Sequence, residues 1–243
     1  MKFLKKAIIN NIINTFLLDL IIFYFAKMNY FFSQLLLIKE WSGINANNPP
    51  KFFKHSINFN SWRFDPSEWV WVLRGVKARE KMIQNSKTLD ICCGDGSYSF
   101  FFYQDISSKI DAIDIDNNAI KYANYFYKHP KINFLKINIL EEEFPDKNYD
   151  TFIWNAGICY FTIEEINFII YKIISCGTKE MQLIGMLPKA NGHIDHKTEF
   201  ENSDLIKDLF TPHFEKIEID YNSFDANFYF YVKQPKTFTN NLI

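Results

Sequence analysis

The chain has 243 residues, with Lys+Arg at 27, Asp+Glu at 28 and a net charge of −1. That length suits one catalytic-sized α/β domain with an extension, and the even charge offers no general attraction to a polyanion, so nucleic acid is set aside as substrate or partner. Cys92, Cys93, Cys159 and Cys176 show neither zinc-type Cys-x-x-Cys spacing nor a secreted disulfide framework, which points to free thiols in a reducing cytoplasm.

In chain order, residues 1–41 come first and differ from the rest. Lys2, Lys5 and Lys6 precede an apolar stretch over 8–25 that Asn10, Asn11, Asn14, Thr15 and Asp19 interrupt. This is too polar for a spanning helix of about 20 apolar residues. Lysines ahead of a single span would also hold the N-terminus inside and send the following domain outside. No small-residue cleavage site follows, which argues against a signal peptide. Two readings stay open: amphipathic helices on the inner face of a membrane, suited by five lysines against Asp19 and Glu40, or helices packed on the domain as a lid or dimer contact. Residues 42–61, with Asn45, Asn47, Asn48, Pro49 and Pro50, read as a linker, so the expected division is 1–61 for the extension and linker and 62–243 for the domain.

A helix is predicted over 62–81, started by Asp65-Pro66, with Trp69, Val72, Leu73 and Val76 on one face. The cluster Trp62, Trp69 and Trp71 reads as packing against a sheet, with a substrate wall as the alternative. Strands follow over 88–92, 110–114, 132–137, 149–155, 180–187, 214–221 and 226–233. Helices are expected over 97–104, 117–127, 162–175 and 203–210, the second capped by Asp116 and the third by the box Thr162-x-x-Glu165. Strands separated by helix-length segments predict a doubly wound, mostly parallel seven-stranded sheet. Only 222–225 separates the last two strands, too short for a crossover, so that pair is an antiparallel hairpin.

The segment Thr88-Leu-Asp-Ile-Cys-Cys-Gly-Asp-Gly-Ser97 is an apolar run holding a carboxylate and breaking into a Gly-x-Gly turn. Asp114 closes the next apolar run, twenty residues after Gly94. Strand, bare turn, helix and a second strand ending in an acid is a recipe for gripping a ribose. Ser99 stands where a dinucleotide fingerprint needs its third glycine, and no phosphate loop with Gly-Lys-Ser/Thr occurs, so a pyrophosphate-bearing ligand is disfavoured.

These residues resemble the first two motifs of the class I S-adenosylmethionine-dependent methyltransferases, and the resemblance covers about residues 86–235. It implies S-adenosyl-L-methionine as cofactor, with Asp90 near the methionine amino end, Gly94 and Gly96 along the methionine and ribose portion, and Asp114 on the ribose hydroxyls. Ile115 falls beside that acid, and Cys92 stands where the family usually has its first glycine. After the third strand, Asn138 and Ile139 occupy the place of the family's Asp and adenine-facing apolar residue. After the fourth, Asn155-Ala-Gly-Ile158 lacks the proline pair of enzymes that methylate bases or amides, leaving oxygen, carbon or simple amine acceptors. Asn155 reads equally as a cofactor contact and as a strand-end cap.

The loop Pro188 to His196 holds His193, Asp195 and His196 where substrate should enter. Histidine titrates near neutrality, so His193 and His196 are the candidate bases; two histidines and one acid within four residues make a poor preformed metal cage, and no metal is expected. The expected activity is methyl transfer to a small-molecule, glycan or lipid-linked acceptor, with oxygen favoured. An aminopropyl transferase is disfavoured for want of an acidic tract after the fourth strand, and a non-catalytic binding or scaffold protein of the same fold is the alternative.

Overall fold

The structure is a computed structural model that describes residues 68–236 apart from Asn191, together with Ile21, Tyr24, Phe25, Lys27, Met28 and Phe31. Those six are helical and exposed. The rest of the expected extension and linker, the Asp65-Pro66 cap, Trp62 and the side chain of Trp69 lie outside the described residues. Among the described residues no helix is long and apolar enough to cross a membrane.

Helix α1 (Glu68–Lys81) precedes strand β1 (Ser86–Ile91), a helical turn and strand β2 (Ser107–Asp114). Helix α2 (Asn117–Phe126), strand β3 (Ile132–Lys136), strand β4 (Tyr149–Asn155), helix α3 (Ile163–Cys176) and strand β5 (Gly177–Pro188) follow. Helix α4 (Ser203–Phe210) leads into strands β6 (Phe214–Asn222) and β7 (Asn227–Pro235). Their sheet has the order β3-β2-β1-β4-β5-β7-β6. All neighbours from β3 through β5 pair parallel. β7 runs against both β5 and β6, so it alone is reversed. The short link between β6 and β7 forces that reversal, as expected from the sequence.

The central strands read as nearly continuous apolar runs because both their faces are covered. On one face α3 and α4 bring Ile166, Ile169, Ile170, Ile173, Ile206 and Phe210 onto Leu89, Phe152 and Trp154. On the other, α1, the helical turn and α2 bring Ala78, Phe102, Ile120 and Ala123 onto Ile110, Ala112 and Ile153. The predicted caps form: Asp116 accepts from the Asn118 and Ala119 amides, and Thr162 and Glu165 close a reciprocal box. α4 is capped by Asn202, whose side chain accepts from the Asp204 and Leu205 amides.

β2 and β5 each begin three residues earlier than expected, and two further elements depart from the sequence expectation beside the cavity. β1 stops at Ile91, because Cys92 turns out of the strand at φ 57°. The helix expected over 97–104 widens into a π turn over Ser99–Tyr103. Phe102 there fills the space that Gly75 of α1 leaves open, since a Cβ on Gly75 would lie 2.5 Å from the Phe102 ring. Arg79 donates to the Phe102 carbonyl at 2.7 Å, occupying an acceptor at the end of the widened turn.

Candidate functional site

The strand order reverses at β1, whose neighbours β2 and β4 lead off in opposite directions, and open α/β sheets collect ligands beyond the strand ends at such a point. A cavity of about 750 Å³ opens there. Ten of the eleven residues expected at the site line it: Asp90, Cys92, Gly94, Asp114, Ile115, Asn138, Ile139, Asn155, His193 and His196. Gly96 is the exception. At φ +78° it packs into the core, where a Cβ would lie 2.3 Å from Phe134 and 3.0 Å from the Ala123 methyl. Its missing side chain lets the glycine turn close on α2 and β3, and it supports the site from beneath.

Asp114 forms the floor. It is 8% exposed, and its two carboxylate oxygens accept one backbone N–H each, from Gly94 and from Asp116, both at 2.8 Å. Burial pushes its pKa up while these amides pull against the rise. Each oxygen keeps a lone pair for a further donor, a match for two vicinal hydroxyls.

Asp90 is 3% exposed and accepts from the Ser99 hydroxyl at 2.6 Å. Burial drives its carboxyl up to about 7, with Ser99 holding it back and Asp114 adding repulsion. A cation placed beside Asp90 would reverse that shift. Asn138 commits its carbonyl oxygen to the Leu140 amide at 3.2 Å, which leaves its amide N–H groups for a ligand between Ile115, Ile139 and Leu140. These residues fit S-adenosylmethionine: an acid for a diol, an acid for an ammonium, and an apolar slot with a donor at its edge for adenine.

Cys92 holds a left-handed conformation that costs a side chain about 1 to 2 kcal/mol. Gly157 accommodates it, because a Cβ there would lie 2.8 Å from the Cys92 Cβ and 2.9 Å from its sulfur. The glycine missing from one strand end is supplied at the next. Burial, reinforced by Asp114, pushes the Cys92 thiol far above its ordinary range and keeps it neutral.

The other wall comes from the 189–199 segment. Its far side is pinned: the Lys197 and Thr198 amides donate to the Cys159 carbonyl at 2.8 and 3.2 Å, and the Thr198 hydroxyl to the Phe161 carbonyl at 2.8 Å. The His193 and His196 rings stack at 4.7 Å, with Tyr160 edge-on to His196 at 5.5 Å. His193 Nδ1 accepts from the Asp195 amide at 3.3 Å, which places the proton of the neutral ring on Nε2. His196 is the more buried of the two. Burial, with His193 beside it, lowers its pKa, and Glu199 Oε1 lies 3.9 Å from its Nδ1, at ion-pair reach but beyond a hydrogen bond. Asn155 lines the cavity, and its side-chain amide donates to the Tyr103 hydroxyl at 3.0 Å.

Asp95, Tyr98, Trp71 and Arg74 also line the cavity, and sequence reasoning did not assign Asp95, Tyr98 or Arg74 to it. The one available signal for Arg74 was composition: it is one of three arginines in a chain whose other basic residues are lysines.

Residues 88–176 match the family profile described as a methyltransferase domain. Among curated proteins, the phosphoethanolamine N-methyltransferase of Plasmodium falciparum is 30% identical over 105 residues, 40% of this chain and 40% of that one. The chain thus spans about two fifths of the length of that relative. Among solved structures, the N-methyltransferase NodS of Bradyrhizobium japonicum in complex with S-adenosyl-L-homocysteine aligns with TM-score 0.57 at 15% identity, over 75% of this chain and 96% of that one. A protein from Pyrococcus horikoshii aligns with TM-score 0.57 at 17% identity, over 73% and 99%. These structural likenesses show the fold.

Proposed function

Residues 88–176 are a methyltransferase domain of the class I S-adenosylmethionine-dependent family, and from that premise we propose that the chain transfers a methyl group from S-adenosylmethionine to a small acceptor, on oxygen. The support is the convergence, on one cavity, of the Asp114 and Asp90 carboxylates from neighbouring strand ends with His196. When bound, the cofactor supplies a sulfonium-activated methyl group. The protein's part is alignment and proton removal. Asp114 and the Gly94 turn orient the nucleoside, Asp90 neutralises the ammonium, and Tyr160 and Phe161 wall the acceptor. His196 takes the acceptor hydroxyl proton on Nε2 as the new bond forms, and the positive ring is then stabilised by Glu199.

A nitrogen acceptor is the second reading, favoured by the likeness to the Plasmodium phosphoethanolamine N-methyltransferase. His196 would then remove the proton that an amine must lose. A scaffold that binds cofactor without turnover is the alternative outside enzymes. We also place the protein in the cytoplasm with residues 1–41 against a membrane face. Support comes from the exposed helical Ile21, Tyr24, Phe25, Met28 and Phe31, spaced so as to share one stripe.

Calorimetry with S-adenosylhomocysteine, followed by methyl-transfer assays on hydroxyl and amine acceptors, tests the reading. Binding with transfer to a hydroxyl supports it, transfer to amines alone moves the assignment to nitrogen, and binding without transfer on either panel favours the scaffold.

A further inference from the structure

The link from β3 to β4 over 137–148 carries the apolar slot of the cavity, which Ile139 and Leu140 line beside Asn138. It holds neither helix nor strand, so its backbone groups must find partners outside any ladder. Part of that demand is met locally. The Glu141 and Glu142 amides donate to the Asn138 carbonyl at 3.0 and 2.8 Å, and the Asn138 amide donates to the Glu142 carboxylate at 2.8 Å. Two further carbonyls are met by one side chain from another element. Lys172 of α3 donates through Nζ to the Ile139 carbonyl, at 2.9 Å, and to the Glu142 carbonyl.

Lys172 is itself confined. Its Nζ lies 5.0 Å from the centre of the Phe144 ring and 5.6 Å from that of Phe168, so two aromatic rings limit where the ammonium can go. It stands outside the lining of the cavity, yet the carbonyl it grips belongs to a residue inside that lining. Hydrogen bonds from a charged donor are about twice as strong as neutral ones, and two of them on one short turn fix its shape. The Asn138 amide depends on that shape. With its carbonyl oxygen committed to the Leu140 amide, Asn138 offers only N–H donors to a base in the slot. Adenine presents a lone pair at N1 to such a donor, whereas hypoxanthine presents N–H there, and two donors facing each other leave both unsatisfied.

We infer that Lys172 is a positioning residue for the cofactor: from outside the cavity it holds the 139–142 turn in the shape by which the slot tells adenine from another purine. The inference deepens the methyltransferase reading and rests on it for the identity of the nucleoside.

The test uses the full chain and calorimetry with two probes, S-adenosylhomocysteine and S-inosylhomocysteine, which differ only in the base. The wild type should prefer the adenine compound by about tenfold or more, the penalty of a mispaired donor. Lys172→Met keeps an apolar stem between the two aromatic rings and removes the donors. It should weaken S-adenosylhomocysteine about tenfold, leave S-inosylhomocysteine within twofold, and so bring the two compounds within threefold of each other. Lys172→Arg should restore most of the preference, because its planar fork can serve both carbonyls. Should Lys172→Met fail to fold, Lys172→Gln decides, since it is shorter and uncharged, and the preference should narrow at least threefold. Unchanged affinities, an equal loss for both compounds, or a wild type that binds the two alike overturns the inference and leaves the methyltransferase reading standing. A wild type that binds neither overturns that reading as well, so the two failures are distinguishable.

Discussion

The floor and the wall of the cavity are built in different ways. The floor, from Asp90 to Asp116, is one stretch of chain in which β1, the glycine turn, the π turn and β2 follow each other, and backbone amides hold its key carboxylate. The wall gathers Trp71 and Arg74 from α1, Tyr160 from the segment after β4, and His193 and His196 from the segment after β5. A floor made of local backbone geometry should govern binding, and a wall made of side chains should govern which acceptor reacts and how fast.

The largest expected effect lies in the wall. His196→Asn should lower kcat by about 10²- to 10⁴-fold, the range of a lost general base, with S-adenosylhomocysteine affinity unchanged. His193→Asn should cost much less, because its Nδ1 is occupied by the Asp195 amide. Equal losses in the two variants would erase the distinction between them. The acidic limb of the wild-type kcat profile should fall below pH 6.5, since His196 titrates under its ordinary value.

In the floor, Gly96→Ala should destabilise the fold by about 3 kcal/mol, from left-handed strain plus overlap with Phe134, read as a drop in the midpoint of thermal unfolding. An unchanged melt would show that the turn is softer than its packing indicates. Asp114→Ala should weaken S-adenosylhomocysteine by about 1 to 3 kcal/mol through lost charge-assisted hydrogen bonds, and unchanged affinity would remove Asp114 from the site.

Asp90 supplies a pH test. Only its ionised form neutralises an ammonium, so with a carboxyl near 7 the affinity for S-adenosylhomocysteine should rise about tenfold between pH 6 and pH 8. Asp90→Asn should flatten the curve. The same raised pKa means that the stability Asp90 confers on the ligand-free fold is present below the ordinary carboxylate range and is lost as pH rises through about 7.

The smallest effect is expected at Cys92. Cys92→Gly relieves the left-handed strain but adds freedom to the unfolded chain, so stability should move by no more than about 1 kcal/mol and cofactor affinity should hold. A large loss of affinity would mean that the thiol itself touches the ligand.

The floor was legible because its signals are local. Glycines at 94 and 96, acids at 90 and 114 and the apolar runs between them lie within a few turns of chain, where loop length and backbone conformation constrain what can form. Gly96 shows the limit of that legibility: the pattern marked a glycine, but only packing against Phe134 and Ala123 shows that it faces the core. The wall was half legible. His193 and His196 stood out by residue type, whereas their difference in tautomer and burial depends on Asp195, Glu199 and ring stacking.

The sequence alone determined a mostly parallel sheet with one reversed strand, an acid at the second strand end and a histidine-bearing segment after the fifth, since strand spacing and turn chemistry act over short distances. Tertiary structure decided that β7 lies between β5 and β6, that Gly157 makes room for Cys92, and that Arg74 reaches the cavity while its neighbours on α1 find carboxylates. Each of these pairs residues far apart in the chain, and which groups meet across such distances is set by how the layers pack.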